Sequence, residues 1–311
     1  MRGMGSSILW SAAVWMALGG CALHPLDASR LRPGPSRLED PAFAPHLVRA
    51  GVWRPWRFRN TAGGGIHFLD NHDAARTPVL FIHGLYGSPR DFRYLIDHLD
   101  RTRFEPWLYY YASGEDLSGT VEHLSQEIDA LCAHYGVRSL MIVAHSMGGL
   151  IARDFVLRRA DSRIAVPLLI TLSTPWSGHR AAAIGSRFWP GAVRSWHDLA
   201  THSAYLEHLF ATKTGLRRRL PAGTEHYLFA SIGRGKDIHD GRGVDGDDEV
   251  VTVASQLRDS ACEDAYRIHR FAETHRGILR SAAVAESVNQ ALATASTDRS
   301  DTPDVRLGAR R

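Results

Sequence analysis

The sequence has no concentration of charge of one sign, and this absence excludes a class of partners. Its 37 basic and 33 acidic residues are spread along 311 positions and leave a formal net charge of only +4. A nucleic-acid-binding protein needs a basic patch or stripe, because phosphate contacts dominate affinity. The short basic clusters at 215–220 and 306–311 could contact anionic phospholipid, but solvated surface is the simpler interpretation. We therefore expect no nucleic-acid partner.

Long hydrophobic runs are scarce near the N-terminus, where a membrane span would be sought first. The apolar stretch at about residues 8–18 is shorter than the ~20 residues that a transmembrane helix requires. It follows Arg2 and precedes small residues, which is the pattern of a secretory signal. We therefore interpret this stretch as a signal segment outside the folded domain.

The signal segment ends in "LGGC", which resembles a bacterial lipobox, whose cysteine is lipid-modified and becomes the mature N-terminus. The resemblance implies a lipoprotein signal peptide over residues 1–20 and a lipid attachment site at Cys21. An ordinary secretory signal with an incidental cysteine is the alternative. Ala22 stands where an aspartate is the usual inner-membrane retention signal in enteric bacteria. We expect a protein of the bacterial cell envelope, lipid-anchored at the outer membrane.

Cysteine is rare, with only three in the chain. After Cys21, only Cys132 and Cys262 remain, so an exported form can hold at most one internal disulfide. These two thiols could pair in an oxidising compartment, or each could be a small buried apolar residue. The sequence leaves both possibilities open.

Composition divides the rest of the chain into three segments. Residues 21–60 include a stretch rich in proline and charge with no clear period, which is typical of a linker. Residues 61–290 alternate strand-like and helix-like patterns, as a folded domain does. Residues 291–311 turn polar, which predicts a disordered tail. No internal repeat is present.

Short apolar or β-branched runs of strand length recur along the domain, and several are apolar at consecutive positions, as in strands covered on both faces. Helix-like segments lie between them, so the sequence predicts an α/β fold with a mostly parallel, doubly wound sheet. Residues 178–221 show helical patterns without a strand, which predicts a helical cap insertion. The predicted strands are 65–70, 78–84, 104–112, 139–146, 166–174, 225–233, 249–255 and 265–271, and the clearest helices are 91–100, 117–136 and 148–160.

One predicted strand runs directly into "AHSMGGLIAR" at 144–153. A serine hydroxyl is a poor nucleophile, and a tight strand-to-helix turn can hold it out beside a base. Such a turn crowds the positions two before and two after the serine, and here these are Ala144 and Gly148. The pattern therefore indicates Ser146 as a catalytic nucleophile, with a structural helix-capping serine as the alternative.

Together with "PVLFIHGLYGSPRDF" at 78–92, this motif resembles the α/β-hydrolase superfamily in its lipase and esterase branch, over about residues 75–285. The first glycine of the usual G-x-S-x-G signature is replaced by Ala144. The resemblance implies an α/β-hydrolase fold whose oxyanion hole is formed by the N–H groups of Leu85 and Met147. His83, which precedes the nucleophile, is interpreted as structural because the family places the base last.

The family's order of serine, acid and histidine directs the search for the acid downstream. "DEVV" at 248–251 resembles the D-G-V-V phrase of these lipases and implies Asp248 as the triad acid, although Glu249 replaces the glycine and leaves Asp247 as the next candidate. The aspartates of this run could also form an acidic loop. Their spacing is not that of an EF-hand, so we expect no metal site and no cofactor.

Two histidines, His269 and His275, follow the acidic run. "ETHRGIL" at 273–279 resembles the histidine loop of the family, H-x-G-I-L, and implies His275 as the base that takes the proton of Ser146. His269 lies inside a strand-like segment and is the weaker candidate.

The cap segment predicts a substrate with an apolar acyl group. Its aromatic and leucine side chains could line an acyl pocket or pack as ordinary core. The residues concerned, with one aromatic upstream, are Trp176, Phe188, Trp189, Trp196, Tyr205, Leu206, Leu209 and Phe210.

The sequence as a whole indicates a lipid-anchored serine hydrolase that cleaves lipid-like or medium-to-long acyl carboxylic esters through an acyl-enzyme. Its partners would be the acyl ester and, through the anchor, a membrane. An acyltransferase using the same triad and a non-catalytic envelope protein on the same fold are the alternatives. Three candidate catalytic residues argue against the last, because binding alone does not need them. Acyl length and oligomeric state are left open.

Overall fold

A computed structural model describes residues 36–188, 191–233 and 251–297. Within these residues seven strands form one sheet in the order β1-β3-β2-β4-β5-β6-β7. The strands are β1 (Gly65–Phe68), β2 (Thr77–Ile82), β3 (Phe104–Tyr110), β4 (Met141–His145), β5 (Leu168–Leu172), β6 (Glu225–Ser231) and β7 (Arg267–Phe271). β1 pairs antiparallel with β3, and the other pairs are parallel. The predicted mostly parallel sheet is confirmed.

Alternate residues of the central strands enter two separate cores, because successive side chains of a strand point to opposite faces. Leu80 and Ile82 lie in the core under α4 (Leu117–Tyr135) and α5 (Met147–Arg158). Val79 and Phe81 lie in the core on the other face, under α3 (Arg93–Asp97) and α11 (Ala282–Thr297). Both faces are therefore covered by helices, which explains the near-continuous apolar character of the strands.

Two helices near the start of the described chain lie where the sequence predicted a linker. α1 (Pro45–Trp53) and α2 (Pro55–Thr61) each begin at a proline, where its fixed φ and missing N–H suit the first turn of a helix. Phe58 of α2 packs against Tyr110 of β3 with ring centroids 4.8 Å apart. The fold thus begins well before residue 61, and the prolines mark helix starts rather than a tether.

Two further segments differ from the sequence prediction. The predicted strand at 249–255 contains a short helix, α9 (Val253–Gln256), because the Thr252 side chain accepts a hydrogen bond from the N–H of Ser255 at 3.1 Å. A second short helix, α10 (Asp259–Cys262), follows. α11 continues to Thr297 and keeps Leu292 buried, so the chain is folded beyond residue 291, where the tail was expected to begin.

The cap contains α6 (Arg180–Phe188), α7 (Arg194–Leu199) and α8 (Ala204–His208), and no strand is found between Arg180 and His208 in its described part. Leu206, Leu209 and Phe210 are buried in the same core as α4 and α5. None of the helices in the described ranges is long and apolar enough to cross a bilayer.

The two cysteines of the domain are both free. Cys132 lies in α4 and is buried in the core, where burial raises the pKa of its thiol to about 12. Cys262 ends α10 and is partly buried against the same core. Both behave as small apolar residues, the second of the two possibilities that the sequence allowed.

Candidate active site

Ser146 lies at the turn between β4 and α5, with φ 55° and ψ −127°. A non-glycine residue rarely adopts a positive φ, and such strain is characteristic of functional turns. The Ser146 N–H donates to the carbonyl of Leu172 on the neighbouring strand at 2.8 Å. The turn therefore fixes the serine at the carboxyl edge of the sheet, as the sequence pattern predicted.

The glycines around Ser146 are explained by close contacts. A β-carbon at Gly148 would overlap the carbonyl oxygen of Ile82 and lie 2.6 Å from that of His83, both of which are backbone atoms. A β-carbon at Gly84 would lie 2.8 Å from the β-carbon of Ser146. The turn and the β2 loop can thus approach each other only because neither glycine carries a side chain.

His275 lies on the loop after β7, and its Nε2 is 3.0 Å from the Oγ of Ser146. The serine hydroxyl can donate to Nε2 in this pair, and the neutral ring then carries its proton on Nδ1. Burial, followed by the neighbouring His145 and Arg276, lowers the pKa of His275 well below its usual value. The geometry brings together a hydroxyl and a neutral base.

The Nδ1 of His275 is buried, and no acceptor contacts it among the residues that the structure describes. Asp248 and Asp247, the two acids that the sequence suggests, lie outside the described residues. The described ranges also hold no group of three or more His, Cys, Asp or Glu side chains suited to a metal ion.

The two expected oxyanion donors lie on either side of Ser146. Met147 is the first residue of α5, so its N–H has no partner inside the helix. Leu85 follows Gly84 on the loop after β2, and neither N–H donates a hydrogen bond within the described ranges. Two unpaired N–H groups beside a serine can stabilise negative charge on a substrate oxygen.

Residues 77–194, which contain this turn and the β2 loop, match the family model of the alpha/beta hydrolase fold. The chain has the α/β-hydrolase fold. The structure resembles the mature form of lipase BlEst2 from Bacillus licheniformis, with a TM-score of 0.56 and 16% identity over 74% of this chain and 98% of that chain. It also resembles the lin2722 gene product of Listeria innocua, with a TM-score of 0.51 and 13% identity over 70% and 94%. No curated protein matches it.

His83 is hydrogen-bonded to the loop after β2, which carries Leu85. Its Nδ1 donates to the carbonyl of Gly84 at 2.8 Å, and its ring stacks on Tyr111 at 4.3 Å. Complete burial lowers the pKa of His83 to about 4, so the ring is neutral at physiological pH. These contacts agree with the structural interpretation of His83.

His269 lies within β7, and its ring packs against Phe229 and Phe271. Of the two downstream histidines, His275 is the one that contacts Ser146. The structure therefore brings His275, the predicted base, to the serine hydroxyl.

Most of the described aromatic and leucine side chains proposed for an acyl pocket belong to the core. Trp176, Leu206 and Leu209 have no exposed surface, and Phe210 lies between the guanidinium groups of Arg153 and Arg258. The side chains of Phe188 and Trp189 lie outside the described structure. Ordinary packing therefore accounts for these buried cap residues.

A second aromatic group lies beside Leu85 on the loop after β2, and of its three members the sequence predicted only Trp196. Trp53 at the end of α1 contacts Trp196 of the cap at 5.5 Å and Tyr86 at 6.5 Å between ring centroids. Tyr86 directly follows Leu85, and Trp53 is 45% exposed. Trp53 was overlooked because its segment was interpreted as a linker. We call Trp53, Tyr86 and Trp196 the aromatic cluster.

Proposed function

We propose that this protein is a serine hydrolase that cleaves carboxylic esters through an acyl-enzyme. The observation that carries the proposal is the 3.0 Å contact between Ser146 Oγ and His275 Nε2, with two unpaired N–H groups beside the serine. Such a set is needed to attack a carbonyl carbon and stabilise the resulting oxyanion. The named lipase among the structural neighbours agrees with the proposal, although its identity of 16% supports only the fold.

The reaction follows from the positions of these groups. Ser146 Oγ attacks the ester carbonyl while His275 Nε2 takes its proton, and the carbonyl oxygen becomes an oxyanion facing the N–H groups of Leu85 and Met147. The imidazolium then protonates the leaving alcohol, and the acyl-enzyme forms. Water, deprotonated by the same Nε2, attacks the acyl-enzyme and releases the carboxylic acid. The lowered pKa of His275 keeps its ring neutral and ready to accept the first proton.

Asp248 is proposed as the acid of the triad, with Asp247 as the alternative. The support is chemical: a neutral His275 with Nε2 facing Ser146 has an Nδ1–H that is buried, and a buried donor needs an acceptor. A carboxylate at Nδ1 would fix this tautomer and stabilise the imidazolium. The acidic run at 247–248 follows β6 in the chain, where the family order requires it.

An apolar acyl group of medium to long chain is the proposed substrate part. The aromatic cluster supports this proposal, because it places partly exposed rings next to Leu85, the proposed oxyanion donor, where the acyl chain of a bound ester would pass. Each methylene buried against such rings contributes about 0.8 kcal/mol of binding. The proposed lipid anchor at Cys21 would hold the enzyme at the outer membrane, beside lipid-like esters.

Labelling with a fluorophosphonate tests the nucleophile directly. Intact-mass measurement should show one adduct on the wild type and none on Ser146→Ala, whereas Ser287→Ala, which changes a partly buried serine of α11 that donates to the Ala283 carbonyl of the same helix, should be labelled like the wild type. Hydrolysis of p-nitrophenyl butyrate should likewise occur in the wild type and in Ser287→Ala and be lost in Ser146→Ala. Release of free butyric acid in equal amount to p-nitrophenol distinguishes hydrolysis from acyl transfer. An unlabelled wild type would reject the catalytic proposal.

A further inference from the structure

His145 links the strand that carries the nucleophile to the loop that carries the base. It is the last residue of β4, directly before Ser146, and is only 6% exposed. Its Nε2 lies 2.9 Å from the backbone carbonyl oxygen of His275, and the two rings are 4.9 Å apart. A carbonyl oxygen can only accept, so the Nε2 of His145 carries the proton and donates it.

We propose that His145 is a positioning residue, which holds the backbone of His275 at the distance from Ser146 that proton transfer requires. This proposal rests on the function proposed above. His145 binds the backbone of His275, and the adjacent Ser146 contacts the ring of the same histidine. Two neighbouring contacts therefore align the serine turn with its base. A displacement of about 1 Å in such a pair can cost about 100-fold in rate.

Among the described residues, the other hydrogen bonds of this loop lie on either side of His275. The N–H of Gly233 donates to the carbonyl of Glu273 at 3.0 Å, two residues before His275. After His275, the Gly277 N–H donates to Thr274 Oγ1 at 3.0 Å, a contact inside the loop. The bond from His145 therefore ties the base to the nucleophile strand at the residue where alignment matters.

The surroundings of His145 keep this donor uncharged. Burial, with a smaller effect of Arg276, lowers the pKa of His145 to about 4, and His83 and His275 are its neighbouring titratable rings. A cation at this position would oppose the imidazolium that forms on His275 during the reaction. A neutral imidazole supplies the hydrogen bond without that repulsion.

Two substitutions separate positioning from packing. His145→Phe keeps a ring of similar size and removes the donor, whereas His145→Gln places an amide N–H at about the reach of Nε2. His226→Phe is the matched control, since His226 is also buried and hydrogen-bonded, to Thr171 Oγ1 at 2.8 Å, but on β6. Steady-state kinetics on p-nitrophenyl butyrate, normalised to fluorophosphonate-titrated sites, give kcat and KM, and thermal unfolding gives Tm.

We expect His145→Phe to lower kcat by about 10- to 100-fold, with KM changed less than about 2-fold. His145→Gln should recover most of the loss, and His226→Phe should lower only Tm. A kcat for His145→Phe within about 2-fold of wild type would overturn the proposal, as would equal loss in His145→Gln.

Hydrogen–deuterium exchange of residues 272–280 measures how well this loop is ordered and does not depend on catalytic activity. Exchange should be faster in His145→Phe and close to wild type in His145→Gln. If the wild type neither labels nor hydrolyses esters, the proposed function fails, while exchange still decides whether His145 orders the loop. Unchanged exchange in His145→Phe would reject the positioning role in either case.

Discussion

Gly148→Ala is the substitution whose effect the structure specifies most closely. The new β-carbon would overlap the carbonyl oxygen of Ile82 and lie 2.6 Å from that of His83. Neither neighbour is a flexible side chain, so α5 must move away from β2 to relieve the overlap. Overpacking of this kind typically costs 1–3 kcal/mol, and a backbone clash places the cost near the upper end, at about 3 kcal/mol.

The gain in helix propensity opposes this loss only weakly, because replacing glycine by alanine is worth about 1 kcal/mol at most in a helix interior. A net loss of about 2 kcal/mol should lower Tm by about 4–8 °C in a domain of this size. The movement also displaces Ser146 from His275, so kcat should fall by about 100-fold or more. Differential scanning calorimetry and p-nitrophenyl ester kinetics measure the two effects.

Gly223→Ala is the matched control, because a β-carbon there meets nothing within 4 Å and the backbone does not need a positive φ. It should leave both Tm and kcat near wild type. The reasoning would be refuted by a Gly148→Ala variant that is as stable and as active as the control. A variant that loses stability but keeps kcat would show that the helix can shift without moving the serine.

Three further predictions concern the proposed triad acid, the aromatic cluster and the lipid anchor. Asp248→Asn should lower kcat by about 10³- to 10⁴-fold and move the acid limb of its pH profile to lower pH. The limb moves because burial and Arg276 then lower the His275 pKa without an opposing carboxylate. Asp247→Asn should have neither effect, and the reverse result would exchange the two roles. Trp196→Ala should lower kcat/KM for p-nitrophenyl esters increasingly as the acyl chain lengthens from two to sixteen carbons. Trp56→Ala, which changes a 63% exposed tryptophan, should leave the series unchanged. Equal profiles for the two variants would remove the aromatic cluster from the proposed acyl site. Cys21→Ser should move the protein from the membrane fraction to the supernatant or block its processing, and mass spectrometry of an unmodified mature N-terminus beyond Cys21 would reject the lipid anchor.

The sheet and the nucleophile turn were predictable because their signals are local. All seven strands, from β1 (Gly65–Phe68) to β7 (Arg267–Phe271), coincide with apolar or β-branched runs in the sequence, and the Ser146 turn needs small residues within two positions. The strand predicted at 249–255 was wrong at its described end, because the helix cap at Thr252 outweighs the β-branched composition of this run. The superfamily expectation is confirmed at the level of the fold.

The missed features depend on contacts between distant parts of the chain. His145 and His275 are 130 residues apart, and nothing in the sequence around either residue reveals their hydrogen bond. Trp53 likewise joins the site only because α1 packs beside the cap, in a segment whose prolines suggested a linker. Local patterns identify which residues carry chemistry, whereas tertiary packing determines which residues hold them in place.

The early start of the fold shortens the linker between the proposed lipid anchor and the folded domain. Ser36 already donates its N–H to the carbonyl of Phe68 at 2.6 Å, beside β1. A fully extended chain from Cys21 to Ser36 reaches at most about 54 Å, against about 140 Å for a tether that continued to residue 60. With Cys21 acylated as proposed, the folded domain would reach only the leaflet in which the anchor is inserted and the few nanometres above it. The esters available to the protein would then be those present at that surface.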